Sequence, residues 1–335
     1  MILNQQIKQK MYSFKEVLEI VNSQVEQINW HRKPYGLYEP IEYILSLGGK
    51  RLRPAITLMT CNLYTDDVLQ AINPALGLEI FHNFTLLHDD IMDNAPMRRG
   101  KPTVHVKWDE NTAILSGDVM QIEAYKWVAE APEKHLKKTL DLFSKTAAEI
   151  CEGQQFDMEF EHRTDVEADE YIEMIRLKTA VLIAAGCQIG AWIGGATDDD
   201  AQNLYNFGLN IGLAFQLKDD LLDVYGNEET FGKKIGGDIV CNKKTYLLIH
   251  ALKLAKGKDA EELKFWLNNY DLNDEKAKIN SVTEIYNNLN IKEICEDKMN
   301  YFYNKAIQSL NNLEVSAIKK TELNKLAELL LIRNE

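Results

Sequence analysis

Aspartates recur one helical turn apart at two places, Asp89-Asp90-Ile91-Met92-Asp93 and Asp219-Asp220-Leu221-Leu222-Asp223. Both runs sit in strongly apolar surroundings. Around the first stand Leu76, Leu78, Ile80, Phe81, Phe84 and Leu87, as in a core helix over residues 75–93. Yet His82, Thr85, Asp89 and Asp93 fall within an arc of about 80° when successive residues turn by ~100°. The second run repeats the plan over residues 209–224, where Gln216, Asp219 and Asp223 share the polar face. Carboxylates this close repel one another and are costly to bury unpaired. A hard divalent cation offsets both costs, because carboxylate oxygens are its preferred ligands. The two acidic faces are expected to oppose each other across a cavity. A single acidic pair reads equally well as a solvated face or a helix start, which is how Asp66-Asp67 and the three aspartates after Thr197 are read. Repetition within apolar helices favours the metal.

Basic groups follow the acidic ones. Gly48-Gly49-Lys50-Arg51-Leu52-Arg53-Pro54 is a tight turn with three cations and backbone N–H groups able to approach an anion. Arg98-Arg99-Gly100-Lys101 trails the first acidic run, and Gly232-Lys233-Lys234-Ile235-Gly236-Gly237-Asp238 trails the second, with Lys243 and Lys244 beyond. Alone, each is an ordinary solvated run. Beside paired acidic motifs they fit the phosphates of a metal-bridged diphosphate.

Long helices must position these groups. All seven prolines lie within the first 132 residues, so more than two hundred follow without a helix breaker. Apolar positions recur at three- and four-residue spacing, as in Leu140, Phe143, Ala147 and Ile150, and no sustained period-two alternation marks a strand. Helix starts are read at Thr197 and near Thr103. No linker, repeat or composition shift divides the 335 residues, so a single all-α domain over 1–335 is expected, with two helical domains as the alternative.

The net charge of −13 and a pI near 5.1 argue against an extended nucleic-acid-binding surface. Five scattered cysteines without a CxxC pair support neither a zinc cage nor a disulfide framework. The most apolar stretch, 180–196, contains Gln188 and is shorter than the ~20 residues that span a bilayer, so a buried helix and no membrane span are expected. The first residues lack the apolar core of a signal peptide, which predicts a cytoplasmic protein.

In order along the chain stand GGKRLRP, FHNFTLLHDDIMDNAPMRRGKPTVH, EGQQFDMEF, LKTA, FQLKDDLLDVYG and GKKIGGDIVCNKKTY. This set closely resembles the trans-prenyltransferases, the short-chain polyprenyl diphosphate synthases. The resemblance covers roughly residues 40–250, the motif-bearing core, and leaves 251–335 as C-terminal helices compatible with the family. It implies a bundle of long helices around a central cavity (the isoprenoid synthase type I fold), usually a homodimer. It also implies head-to-tail condensation of isopentenyl diphosphate with dimethylallyl, geranyl or farnesyl diphosphate. By the resemblance, Lys50, Arg53, His82 and Arg99 match the isopentenyl diphosphate site. Asp89 and Asp93 match ligands of two magnesium ions, and Asp219 the ligand of a third, with Asp223 and Asp238 nearby. Arg98, Lys178, Lys233 and Lys243 match contacts of the allylic diphosphate, with Lys234 competing for the Lys233 role. Thr179 and Gln216 match residues around the developing carbocation, while Gln154 and Asp157 match the family's GQxxD element.

The resemblance also bears on product length. Aromatic residues both four and five positions before the first acidic motif accompany a C15 product, and a single aromatic at the farther position accompanies C20. This chain has Phe84 and the small Thr85, so geranylgeranyl diphosphate is expected, with farnesyl diphosphate the alternative and ordinary core packing the plain reading of Phe84. A non-catalytic subunit that tunes a sister enzyme's product is the rival of another class. Such subunits typically lose motif aspartates, and all six are present here.

Overall fold

The computed structural model describes residues 10–227, 235–268 and 274–332. Among them the fold is all-α apart from one two-stranded ribbon. The chain groups into two compact units.

The first unit comprises Met1–Lys145, Ala185–Tyr205 and Asn312–Leu323. It opens with α1 (Phe14–Glu26), α2 (Tyr35–Ser46), α3 (Leu52–Asn62) and α4 (Ile72–Met92). The ribbon β1 (Met97–Arg98) and β2 (Lys101–Pro102) follows, then α5 (Val104–Lys107) and α6 (Glu110–Val128). The caps are chemical. Ser13 and Glu16 form a reciprocal capping box at α1, and Asp109 accepts the Thr112 N–H at 2.9 Å to start α6. The ribbon escaped a reading by alternation because each strand has only two residues. It turns through Arg99 and Gly100, both in the left-handed region (φ 51° and 73°).

Long helices fill the proline-free part of the chain: α7 (Glu133–His162), α8 (Ala168–Ile175), α9 (Val181–Gly194) and α10 (Asp198–Tyr225). Between α8 and α9, Arg176–Ala180 winds as a five-residue π-helix. The α10 start is the one expected, with the Thr197 hydroxyl accepting the Asp200 N–H at 3.1 Å. The stretch Ala168–Gly194 is long and apolar enough to cross a membrane by composition alone, but 78% of its most apolar window is buried in the protein. Glycines make close packing of α9 possible. A Cβ on Gly190 would lie 2.0 Å from the Thr57 carbonyl oxygen of α3, and Gly186 and Gly194 meet Thr57 and Cys61 similarly.

The second unit comprises Thr146–Ala184, Asn206–Asn311 and Asn324–Glu335. It adds α11 (Gly237–Val240), α12 (Tyr246–Leu254), α13 (Gly257–Asn268), α14 (Glu275–Asn288) and α15 (Ile291–Asn311). A last helix, α16 (Ala317–Ile332), begins in the first unit and ends in the second. The core of the second unit joins Tyr171 and Met174 of α8, Leu217 and Leu221 of α10, Tyr246 of α12, Tyr286 of α14 and Phe302 of α15.

Candidate active site

In the first unit, α4 carries the acidic motif on its last turn. Asp89 is half-buried, and Asp93 is the exposed cap residue just past the helix end. Asp90 behaves differently. It is buried and holds Arg98 of β1, whose Nε donates to its two oxygens at 2.9 and 2.8 Å while Nη2 lies 2.7 Å from Oδ1. Burial works against the Arg98 charge, but these bonds outweigh it, and Asp89 and Asp93 add to the field that raises its pKa. By the family resemblance Arg98 matches a contact of the allylic diphosphate. The structure engages that guanidinium with Asp90.

The glycine-rich turn also divides its cations. Arg51, at φ 45°, turns inward and pairs with Glu79 at 2.6 Å while donating to the Leu45 carbonyl at 2.6 Å, with both paired side chains 4% exposed. It is therefore a core group rather than an anion contact. Lys50 stays exposed, and Arg53 enters α3 with a buried Nε that has no hydrogen-bond partner. Burial lowers the Arg53 pKa to about 10, partly countered by Glu79. The ribbon meets the same turn, because Arg99 Nη1 donates to the Gly48 carbonyl. Burial, reinforced by Arg53, Arg99, Arg98 and Arg51, holds His82 well below the usual imidazole range. Arg51 and Arg98 are neutralised by Glu79 and Asp90, which leaves Arg53 and Arg99 as the cations of this group whose charge also acts on His82.

Phe84 is 8% exposed and packs in an aromatic group, 5.4 Å from the Phe81 ring and 4.7 Å from the His88 ring between centroids. Thr85 is half-buried and donates to the His82 carbonyl at 2.8 Å.

In the second unit, chemistry gathers where α7, the π-helix and α10 meet. Gly153 lets α7 touch the π turn, since a Cβ there would sit 2.4 Å from the Lys178 backbone nitrogen. From the other side, a Cβ on Gly212 of α10 would lie 2.8 Å from Ala180 Cα. The π turn itself left no trace in the sequence, though such turns often mark functional sites. Lys178 donates to Asp157 at 2.6 Å, so two residues expected to have separate duties are paired. Burial opposes the Asp157 charge, but Lys243 and Lys178 outweigh it and hold the carboxyl below its usual range. Gln154 stands half-buried one turn before Asp157 on α7. Thr179 donates to Gln216 Oε1 at 3.4 Å.

Within the second acidic motif, Asp219 and Asp223 are half-buried and Asp220 is buried. Asp223 Oδ2 accepts the Asp238 N–H at 3.0 Å and its carbonyl accepts the Gly236 N–H at 2.6 Å, which ties the start of α11 to α10. Burial, with repulsion from Asp238, pushes the Asp220 carboxyl up to about 8 despite its hydrogen bonds from Tyr171 and Gln216. Tyr171 was not singled out from the sequence, where nothing distinguishes it from other apolar-face residues of α8. Lys233 and Lys234 lie outside the described residues.

The polyprenyl synthetase family model matches residues 34–289. The chain belongs to the polyprenyl synthetase family. The match runs through segments of both units. The chain is 41% identical over 235 residues to a geranylgeranyl diphosphate synthase of Methanosarcina mazei, covering 70% of this chain and 72% of that protein. It is equally 41% identical, over 251 residues, to a geranylfarnesyl diphosphate synthase of Natronomonas pharaonis, covering 70% of this chain and 74% of that one. Among solved structures, a geranylgeranyl pyrophosphate synthase superposes with a TM-score of 0.91 at 41% identity, covering 97% of this chain and all of the other. A family of prenyltransferases accounts for two acidic motifs on apolar helices and a cluster of arginines.

Proposed function

We propose that the protein condenses isopentenyl diphosphate head-to-tail with dimethylallyl, geranyl and farnesyl diphosphates to give geranylgeranyl diphosphate. The observation that carries this reading is the buried Arg53 Nε without a hydrogen-bond partner, next to a glycine-rich turn that Arg99 also reaches, on the same unit as Asp89 and Asp93. Arg53, His82, Arg99 and Lys50 would hold the isopentenyl diphosphate. Lys178 and Lys243 would contact the allylic diphosphate with Asp157 orienting Lys178 and Gln154 nearby on the same helix, while Arg98 is held by Asp90 and could add only a donor that Asp90 leaves.

The donor set fits magnesium. Asp89, Asp93, Asp219 and Asp223 offer only oxygen, and magnesium is commonly bound by one or two carboxylates with substrate phosphates and water completing the shell. Asp90 does not join them, since Arg98 occupies it. When bound, three such ions would neutralise the departing diphosphate. The allylic C1–O bond breaks and its electron pair leaves with the diphosphate. The double bond of isopentenyl diphosphate then attacks C1, and a proton is lost to the released diphosphate. Thr179 and Gln216 present oxygens to the developing positive charge, and no protein nucleophile is needed.

Thr85 supports a product longer than C15, because it leaves space that a second aromatic ring would fill. The Natronomonas pharaonis relative supports C25 as the second reading. A homodimer fits the exposed apolar residues Ile114, Leu115 and Ile122 on α6, which a second copy would cover.

Turnover by the purified protein with both diphosphates and magnesium tests the proposal. Activity should vanish in excess chelator, and Asp89→Ala should lower kcat by at least ~10²-fold, as for loss of one transition-state contact. Full activity in chelator would reject the metal assignment.

A further inference from the structure

A chain of hydrogen bonds in the second unit runs from the buried Tyr171 and Asp220 to the half-buried Gln216 and Thr179, the residues assigned to the carbocation. Tyr171 of α8, 1% exposed, bonds through its hydroxyl to Asp220 Oδ2. Asp220, 4% exposed, accepts the Gln216 amide at Oδ1, with Nε2 at 3.4 Å. Gln216 Oε1 then accepts the Thr179 hydroxyl at 3.4 Å. Asp220 lies one turn beyond Gln216 on α10, so the two side chains share a face.

A glutamine amide has nearly the same shape in its two flipped orientations, and only its neighbours choose between them. Nitrogen toward a cation would repel it, and oxygen would stabilise it. Asp220 makes the choice here. Its Oδ1 takes the amide N–H, which turns Oε1 toward Thr179. With the proton held in the Tyr171–Oδ2 bond, on either partner, Oδ1 only accepts and the amide nitrogen donates to it. Tyr171 in turn fixes the carboxyl group, because its bond to Oδ2 leaves Oδ1 directed along α10 toward Gln216.

We propose that Tyr171, acting through Asp220, is a positioning residue that orients the Gln216 amide so that its oxygen, with that of Thr179, faces the allylic carbon as charge develops. Asp220 thereby has a different duty from its neighbours Asp219 and Asp223, although all three belong to one motif. The proposal rests on the prenyl-transfer reading and adds two residues to it.

The test is single-turnover kinetics of the full chain with magnesium, isopentenyl diphosphate and geranyl diphosphate, so that product release does not mask chemistry. Wild-type protein is measured first, and absence of turnover there would overturn the underlying reading. Tyr171→Phe should slow the chemical step about tenfold, the upper end of the net value of one buried hydrogen bond. The apparent affinities for both diphosphates and the half-activating magnesium concentration should stay within about twofold. Asp220→Asn, which lets the Gln216 amide reverse, should show the same pattern with a loss at least as large. It carries the same test if Tyr171→Phe does not fold. Added to Gln216→Ala, Tyr171→Phe should cost less than about twofold more, since its effect runs through the missing amide. Wild-type rates in both single variants would overturn the proposal. So would a raised magnesium requirement in place of a lowered rate, or a tenfold loss persisting in the Gln216→Ala background.

Discussion

Arg98 and Arg99 are chain neighbours with opposite circumstances, and their substitutions should separate. Arg98 is clamped on the buried Asp90, whereas Arg99 is exposed at the tip of the ribbon. Breaking a buried ion pair by removing one partner costs about 3–5 kcal/mol, so Arg98→Ala should lower the thermal unfolding midpoint by several degrees. Arg99→Ala should leave it nearly unchanged and raise the KM for isopentenyl diphosphate roughly tenfold. Equal midpoints for the two variants would contradict the Asp90–Arg98 geometry. His82 gives a pH signature. Its imidazole is depressed in the folded protein, so the unfolded chain binds the extra proton first as pH falls below about 6.5. Stability of the substrate-free protein should therefore fall with acidification through that window, by up to about 1.36 kcal/mol per pH unit from this group. His82→Gln should remove that part of the slope, and an unchanged slope would reject the shift. Residue types and spacing singled out Asp89, Asp93, Asp219 and the basic runs as candidates. Their partners were not legible, because pairing depends on tertiary contact. The three cations of the glycine turn look alike in sequence, yet a left-handed φ at Arg51 sends that one to Glu79. Lys178 and Asp157 stand 21 residues apart and still form one pair.

At the scale of elements, helical periodicity located α4 to within three residues at its start, and the Thr197 cap located α10. The π turn at Arg176–Ala180 was invisible because its few residues keep the apolar pattern of the flanking α-helices. Packing holds it, with Gly153 on one side and Gly212 on the other. Gly153→Ala should displace that turn, and with it Lys178 and Thr179, lowering kcat by about tenfold or more while far-ultraviolet circular dichroism stays helical. Wild-type kcat would show that the close approach does not position the site. Gly190→Ala acts on a different seam, where α9 meets Thr57 of α3. Overpacking there should destabilise by about 1–3 kcal/mol, read from denaturant unfolding. Along α4, Phe84 sits between Phe81 and His88 as a wall of the aromatic group. Phe84→Ser should lengthen the product and Thr85→Phe should shorten it. An unchanged spectrum in both variants would place the length limit on another helix.

Over the whole molecule, composition excluded more than it identified. A net charge of −13 disfavours nucleic acid yet suits a protein whose anionic substrates would arrive with divalent cations. The all-α fold was legible from the long proline-free stretch and the absence of alternation. The grouping into two compact units was not, because four of its five boundaries fall inside helices, α7, α9, α10 and α16, and only one at a connection, after α15. The apolar α6 residues predict a dimer by light scattering at micromolar concentration, and a monomer would contradict that reading. The purified protein, magnesium, isopentenyl diphosphate and farnesyl diphosphate should yield one dominant alcohol after dephosphorylation and chromatography. That alcohol should be geranylgeraniol, a C20 alcohol formed by a single head-to-tail addition. Absence of any chain-extended alcohol, with the farnesyl diphosphate recovered unchanged, would contradict that addition.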